Sequence, residues 1–276
     1  MADAAQLAPL ASFEAKWLEA QPELRVALGF VAAERRQAQT AFACLALELE
    51  HAALATHAHE PAAIKLQWWA DELARAGNGG ALHPLTAALG ETLVRQSVPL
   101  SLWHATIGAA LELRDCAPAT DEAMLLAALA PFYAALAEIE AALFGALDVA
   151  ARARQRALAR AVHDTALLGE APEDGRLALP LDLLARHRLA RGDLAADSPA
   201  RRAALRDWLG RLAGAQEELL DRHARLGIPG AAALRAGYWR AQRAARAAEP
   251  LAALQAASAR LPFGATWAAW RAARRA

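Results

Sequence analysis

Glu48 and His51 stand three residues apart, a spacing that puts a carboxylate and an imidazole on one face of a helix. Di-iron carboxylate bundles use such Glu-x-x-His pairs, but they need two of them on different helices. No other histidine in this chain has a glutamate three residues before it. The pair therefore reads first as solvated or structural rather than as half of a metal site. His57 and His59 fall near a predicted helix end and read as exposed. Ser97, Ser101 and Ser258 sit in no Gly-x-Ser-x-Gly turn, so the sequence offers no acyl-transfer nucleophile. Gly77–Gly80 lacks both a preceding strand and a following Lys-Ser/Thr, which argues against a phosphate cradle. With only Cys44 and Cys116, there is neither a disulfide framework nor a thiolate metal site, and a reducing compartment is the default.

These residues need elements to hold them, and the spacing of apolar residues predicts helices almost throughout. One helix is expected over Ala4–Glu19. A longer one should run from Pro22 to His57, and another from Glu60-Pro61 to the glycines at 77–80. Pro84 and Pro99 sit where two further helices should begin. Thr120, Asp121 and Glu122 combine a cap oxygen with carboxylates and predict a helix to Leu147, kinked at Pro131. Val149–Gly169 follows, then a polar loop over Glu170–Arg176. A short helix is expected from Leu179, a long one from Ser198-Pro199 to Leu226, and three more over 231–247, 251–259 and 266–274. The expected fold is an all-α bundle forming a single domain over residues 1–276.

Composition narrows the function. Thirty basic and thirty acidic residues give a formal charge of zero, without the basic excess that nucleic-acid binding exploits. Arginine supplies all the basic positions except Lys16 and Lys65. The longest uncharged stretches, 97–111 and 123–137, are shorter than the ~20 residues that span a bilayer. No leader pattern is visible at Met1–Phe13. A cytoplasmic protein is expected. Arg240, Arg243 and Arg246 read first as a solvated helix face and second as a peripheral contact with the inner membrane face or a partner.

Beyond this, particular residues carry a resemblance. Arg35-Arg36, the run Phe42–Glu50, and the block Ala63–Leu73 with its Leu66-Gln67-Trp68-Trp69 core resemble the first third of the squalene/phytoene synthase family. Asp174–Leu184, with Gly175-Arg176 and Leu179-Pro180, resembles the segment after that family's second acidic motif. The resemblance covers about residues 20–270 and implies the all-α isoprenoid synthase fold. It also implies a pocket bordered by Arg36, Leu47, Leu54 and Trp68. Active members join two prenyl diphosphates head to head, using Asp-x-x-x-Asp clusters to hold magnesium on the departing diphosphate.

Here those clusters are incomplete. Aligned on Arg36, the first falls on Glu50-His51-Ala52-Ala53-Leu54, where Leu54 offers no oxygen. The second is expected near Leu167–Ala171, whose ends are apolar, with Glu170, Glu173 and Asp174 displaced nearby. Glu48-Leu49 and the short loop resemble another branch of the family, similar to a mitochondrial assembly factor for respiratory complex I. The resemblance thus implies a degenerate site built from Glu50, His51, Glu170, Glu173, Asp174 and Arg176. The expected role is binding an isoprenoid or other lipid, or assembling a respiratory complex, with no cofactor. The alternative is a divergent prenyltransferase acting on farnesyl or geranylgeranyl diphosphate. In it Glu50 and Asp174 would hold magnesium and Arg176 would contact diphosphate.

Overall fold

Prolines and short polar caps set where the helices begin. The computed structural model describes residues 4–19, 21–56, 58–145, 147–168 and 179–275, and among these it contains helices and no strand. The first helices are α1 (Ala4–Leu18), α2 (Pro22–Gly29), α3 (Ala33–Leu54) and α4 (His59–Gly77). Then come α5 (Pro84–Gln96), α6 (Leu100–Arg114) and α7 (Glu122–Phe144). The second half holds α8 (Val149–Ala166), α9 (Leu181–Arg186) and α10 (Pro199–Glu217). α11 (Gly227–Ala245), α12 (Pro250–Ser258) and α13 (Phe263–Ala273) complete the chain.

Asp121, rather than Thr120, caps α7 by accepting from the Met124 amide, and Ser198 caps α10 through the Arg201 amide. α7 continues through Pro131 to Phe144. By length and composition it could cross a bilayer, yet Phe132, Tyr133, Leu136 and Ile139 along it are buried in the protein core.

Two expected helices are divided. The span from Pro22 breaks after Gly29, and α3 starts afresh at Ala33. Arg36 stabilises the break by donating from Nη2 to the carbonyls of Gly29 and Val31, at 3.2 and 3.0 Å. These carbonyls have left the regular ladder and need a donor. The span from Pro199 ends at Glu217 and is followed by a 3₁₀ turn over Leu220–Arg225. Gly227 then takes a positive φ of 69°, which suits glycine, and redirects the chain into α11.

Burial forms two main apolar clusters. One gathers α1 to α7 around Phe42, Trp69, Phe132 and Tyr133; the other gathers α8 to α12 around Trp208, whose indole donates to Thr165 at 3.0 Å. Alanines let helices approach closely where α11 meets α13, through Ala231, Ala268 and Ala272. Between the two clusters lies a cavity.

Candidate functional site

Residues 152, 156, 160 and 164 follow one another at four-residue spacing on α8, so their side chains share one face. Arg152, Arg156 and Arg160 line a cavity of about 260 Å³, bounded also by α3, α7 and α11. Glu50, His51 and Leu47 of α3 face it, as do Glu140 and Phe144 of α7. Phe42, Phe144 and Val162 add apolar surface to its lining.

Each acid here is paired. Glu140 receives Arg152 bidentately, Nε at 2.9 Å and Nη2 at 3.0 Å, and Arg156 Nη2 at 2.9 Å. Burial would raise the Glu140 carboxyl, but the two guanidinium groups outweigh it and hold its pKa at about 2. Glu23 receives Arg240 through two contacts of 2.7 and 2.6 Å. Arg160, 8% exposed, donates to Glu50 Oε1 at 3.3 Å and meets Asp164 Oδ1 at 2.7 Å. Burial opposes its charge, yet Asp164 and Glu50 together raise the guanidinium pKa. One buried cation thus sits between carboxylates from two helices.

Glu48 is held apart from this group. It is buried and accepts from Lys16 at 2.6 Å, Lys65 at 2.7 Å and the Trp17 indole at 2.9 Å. Burial would raise its pKa, and the two ammonium groups bring it down to about 2. His51 packs edge-on to Trp17, and burial followed by Lys65 and Lys16 lowers its pKa. The Cys44 thiol is buried and pushed up to about 12, first by burial and then by Glu14 and Glu48, which makes it a poor nucleophile.

The squalene/phytoene synthase family model matches residues 20–273. The chain belongs to this family. A dehydrosqualene synthase crystal structure in complex with a ligand superposes with a TM-score of 0.67 at 12% identity, over 87% of this chain and 86% of that one. Squalene synthase HpnC from Alicyclobacillus acidocaldarius gives 0.64 at 15% identity, over 92% and 94% of the two chains. At these identities the likeness shows the isoprenoid synthase fold. The search of curated proteins gave no match.

Within the family's fold, the residues expected from sequence divide into three groups. Glu50, His51 and Leu47 come together at the cavity. Arg36, Leu54 and Trp68 stand elsewhere. Arg36 binds the carbonyls at the α2 end, Leu54 packs against the first core cluster, and Trp68, 42% exposed, meets Trp69 and His83 edge-on. Glu170, Glu173, Asp174 and Arg176 lie outside the described residues.

The carboxylate facing Glu50 across Arg160 is Asp164, three residues before the stretch where the second cluster was expected. Sequence reasoning missed Asp164, Arg160 and the Glu140–Arg152 pair. For Arg152, Arg160 and Asp164 the signal was the four-residue recurrence on α8. Magnesium does not fit the described residues. The two carboxylates that could share an ion already share Arg160, and no group of three potential ligands is present among the described residues.

Proposed function

We propose that this chain is a metal-independent binding member of its family, taking an isoprenoid or other lipid-like ligand in the cavity or serving assembly of a respiratory complex, rather than a working prenyltransferase. Arg160 carries this reading. Head-to-head coupling starts with loss of diphosphate, and hard divalent ions on clustered carboxylates stabilise that leaving group. An internal guanidinium pairs with both Glu50 and Asp164, offsetting one of their two charges, and occupies the space between them without supplying open coordination positions. The apolar lining of Phe42, Leu47 and Phe144 suits a hydrocarbon, while the arginines suit an anionic or polar head. The volume, about 260 Å³, lies just below the ~300–1,000 Å³ of common small-molecule sites and favours a short or partly inserted ligand.

The competing reading places magnesium on Glu50 and Asp174 and diphosphate on Arg176. It predicts that Glu50→Ala abolishes product. Purified protein incubated with farnesyl or geranylgeranyl diphosphate, with and without magnesium, should release no pyrophosphate above background. Lipid extracted from the native protein should be the same in both conditions. Magnesium-dependent pyrophosphate release that Glu50→Ala removes would overturn the binding role in favour of catalysis.

A further inference from the structure

The end of the chain is charged unlike the rest. From Gly227 onward there are eight arginines and one glutamate, Glu249, although the whole chain is neutral. Helix α13 packs inward through Ala265, Ala268, Ala269 and Ala272 and leaves larger side chains outside. Phe263 is 80% exposed and Trp267, one turn later on the same face, 49% exposed; Leu261 just before them is 38% exposed. The Trp267 and Trp270 rings pair at 4.6 Å, and the Arg274 guanidinium lies 5.0 Å from the Trp270 ring centroid. Arg260, Arg274 and Arg275 are exposed beside this aromatic surface.

Exposed aromatic rings cost free energy in water and are at home at the headgroup level of a bilayer. Arginines around them are attracted by anionic headgroups, and residues 250–276 contain no acidic side chain to repel those headgroups. We propose that the α13 face docks on an anionic phospholipid bilayer, with Phe263 and Trp267 at headgroup depth and Arg260, Arg274 and Arg275 on the lipid phosphates.

This face is tied to the cavity. Arg240, which lines the cavity, donates to the carbonyls of Ser258 and Arg260 at 3.2 and 3.3 Å. Ser258 lines the cavity too, so the turn presenting Leu261 and Phe263 continues the cavity wall. Docking there would bring that wall next to lipid, while the docking itself does not depend on what fills the cavity.

Full-length protein should pellet with phosphatidylcholine vesicles containing phosphatidylglycerol and stay in solution with phosphatidylcholine alone. The bound fraction should fall as salt rises. Phe263→Ser with Trp267→Ser, and separately Arg274→Gln with Arg275→Gln, should each lower the partition coefficient about tenfold. The side chains are exposed, so both variants should keep the wild-type helical signal and thermal midpoint. No pelleting with anionic vesicles, equal pelleting with neutral ones, or wild-type pelleting by both variants would overturn the proposal. Capture of an acidic protein by this face without vesicle binding would overturn it as well.

Discussion

Arg160 shows how a single side chain changes what a site can do. A guanidinium is a fixed fork of donors, and with a carboxylate on either side it occupies both at once without leaving open positions. The Glu140–Arg152–Arg156 group follows the same logic at greater depth. Glu140→Gln removes the charge that two buried guanidinium groups share, and losing one partner of a buried pair costs roughly 3–5 kcal/mol. Urea denaturation of the variant should show that loss. pH provides a second check. Glu140 and Glu48 ionise at about 2 in the folded chain against an ordinary 4.5. Their stabilisation is therefore complete above pH 4.5 and is lost as pH falls toward 2. A urea midpoint that stays flat across that window would refute the pairing. Glu50 and His51, expected from the resemblance, both line the cavity. Asp164 and Arg160 were not legible, because their meaning depends on the contact of Arg160 with a residue 110 positions away.

Helices α8 and α11 make the charged face possible by meeting at a glycine. A Cβ on Gly230 would stand 2.8 Å from Arg152 Nη1. That guanidinium is held on Glu140 and Gln155 and has little freedom to retreat. Gly230→Ala should cost about 1–3 kcal/mol by overpacking, readable as a lowered thermal midpoint, whereas Gly210, with open space around it, should accept alanine. The dock of α1 is a separate matter. Lys16 and Trp17 reach from it to Glu48, and Trp17 also meets His51. Glu48→Gln should loosen that dock and raise amide exchange in α1 well above the change in α7. Helix starts were legible at Pro84 and Ser198, where proline or a cap oxygen acts locally, whereas the cap of α7 falls one residue later than expected, on Asp121. The break after Gly29 was not, because the donor that stabilises it is Arg36, inside the next helix.

At the scale of the molecule, the all-α class was legible because helical spacing pervades the chain, and the family match and both superpositions agree with it. Neutrality was legible too, but its distribution carries more information than its sum. The eight arginines after Gly227 must be balanced by an acidic excess before it. Near its pI of about 7.1, the protein should therefore be retained at low salt by cation- and anion-exchange resins alike. Passage through both would show that the charges are effectively mixed. Charges held apart in space as they are along the chain would give a molecule of zero net charge an electric dipole. A negatively charged plane would exert a torque on it before touching it, turning α13 forward and leaving the acidic remainder behind, so that first collisions are already in the orientation that contact requires.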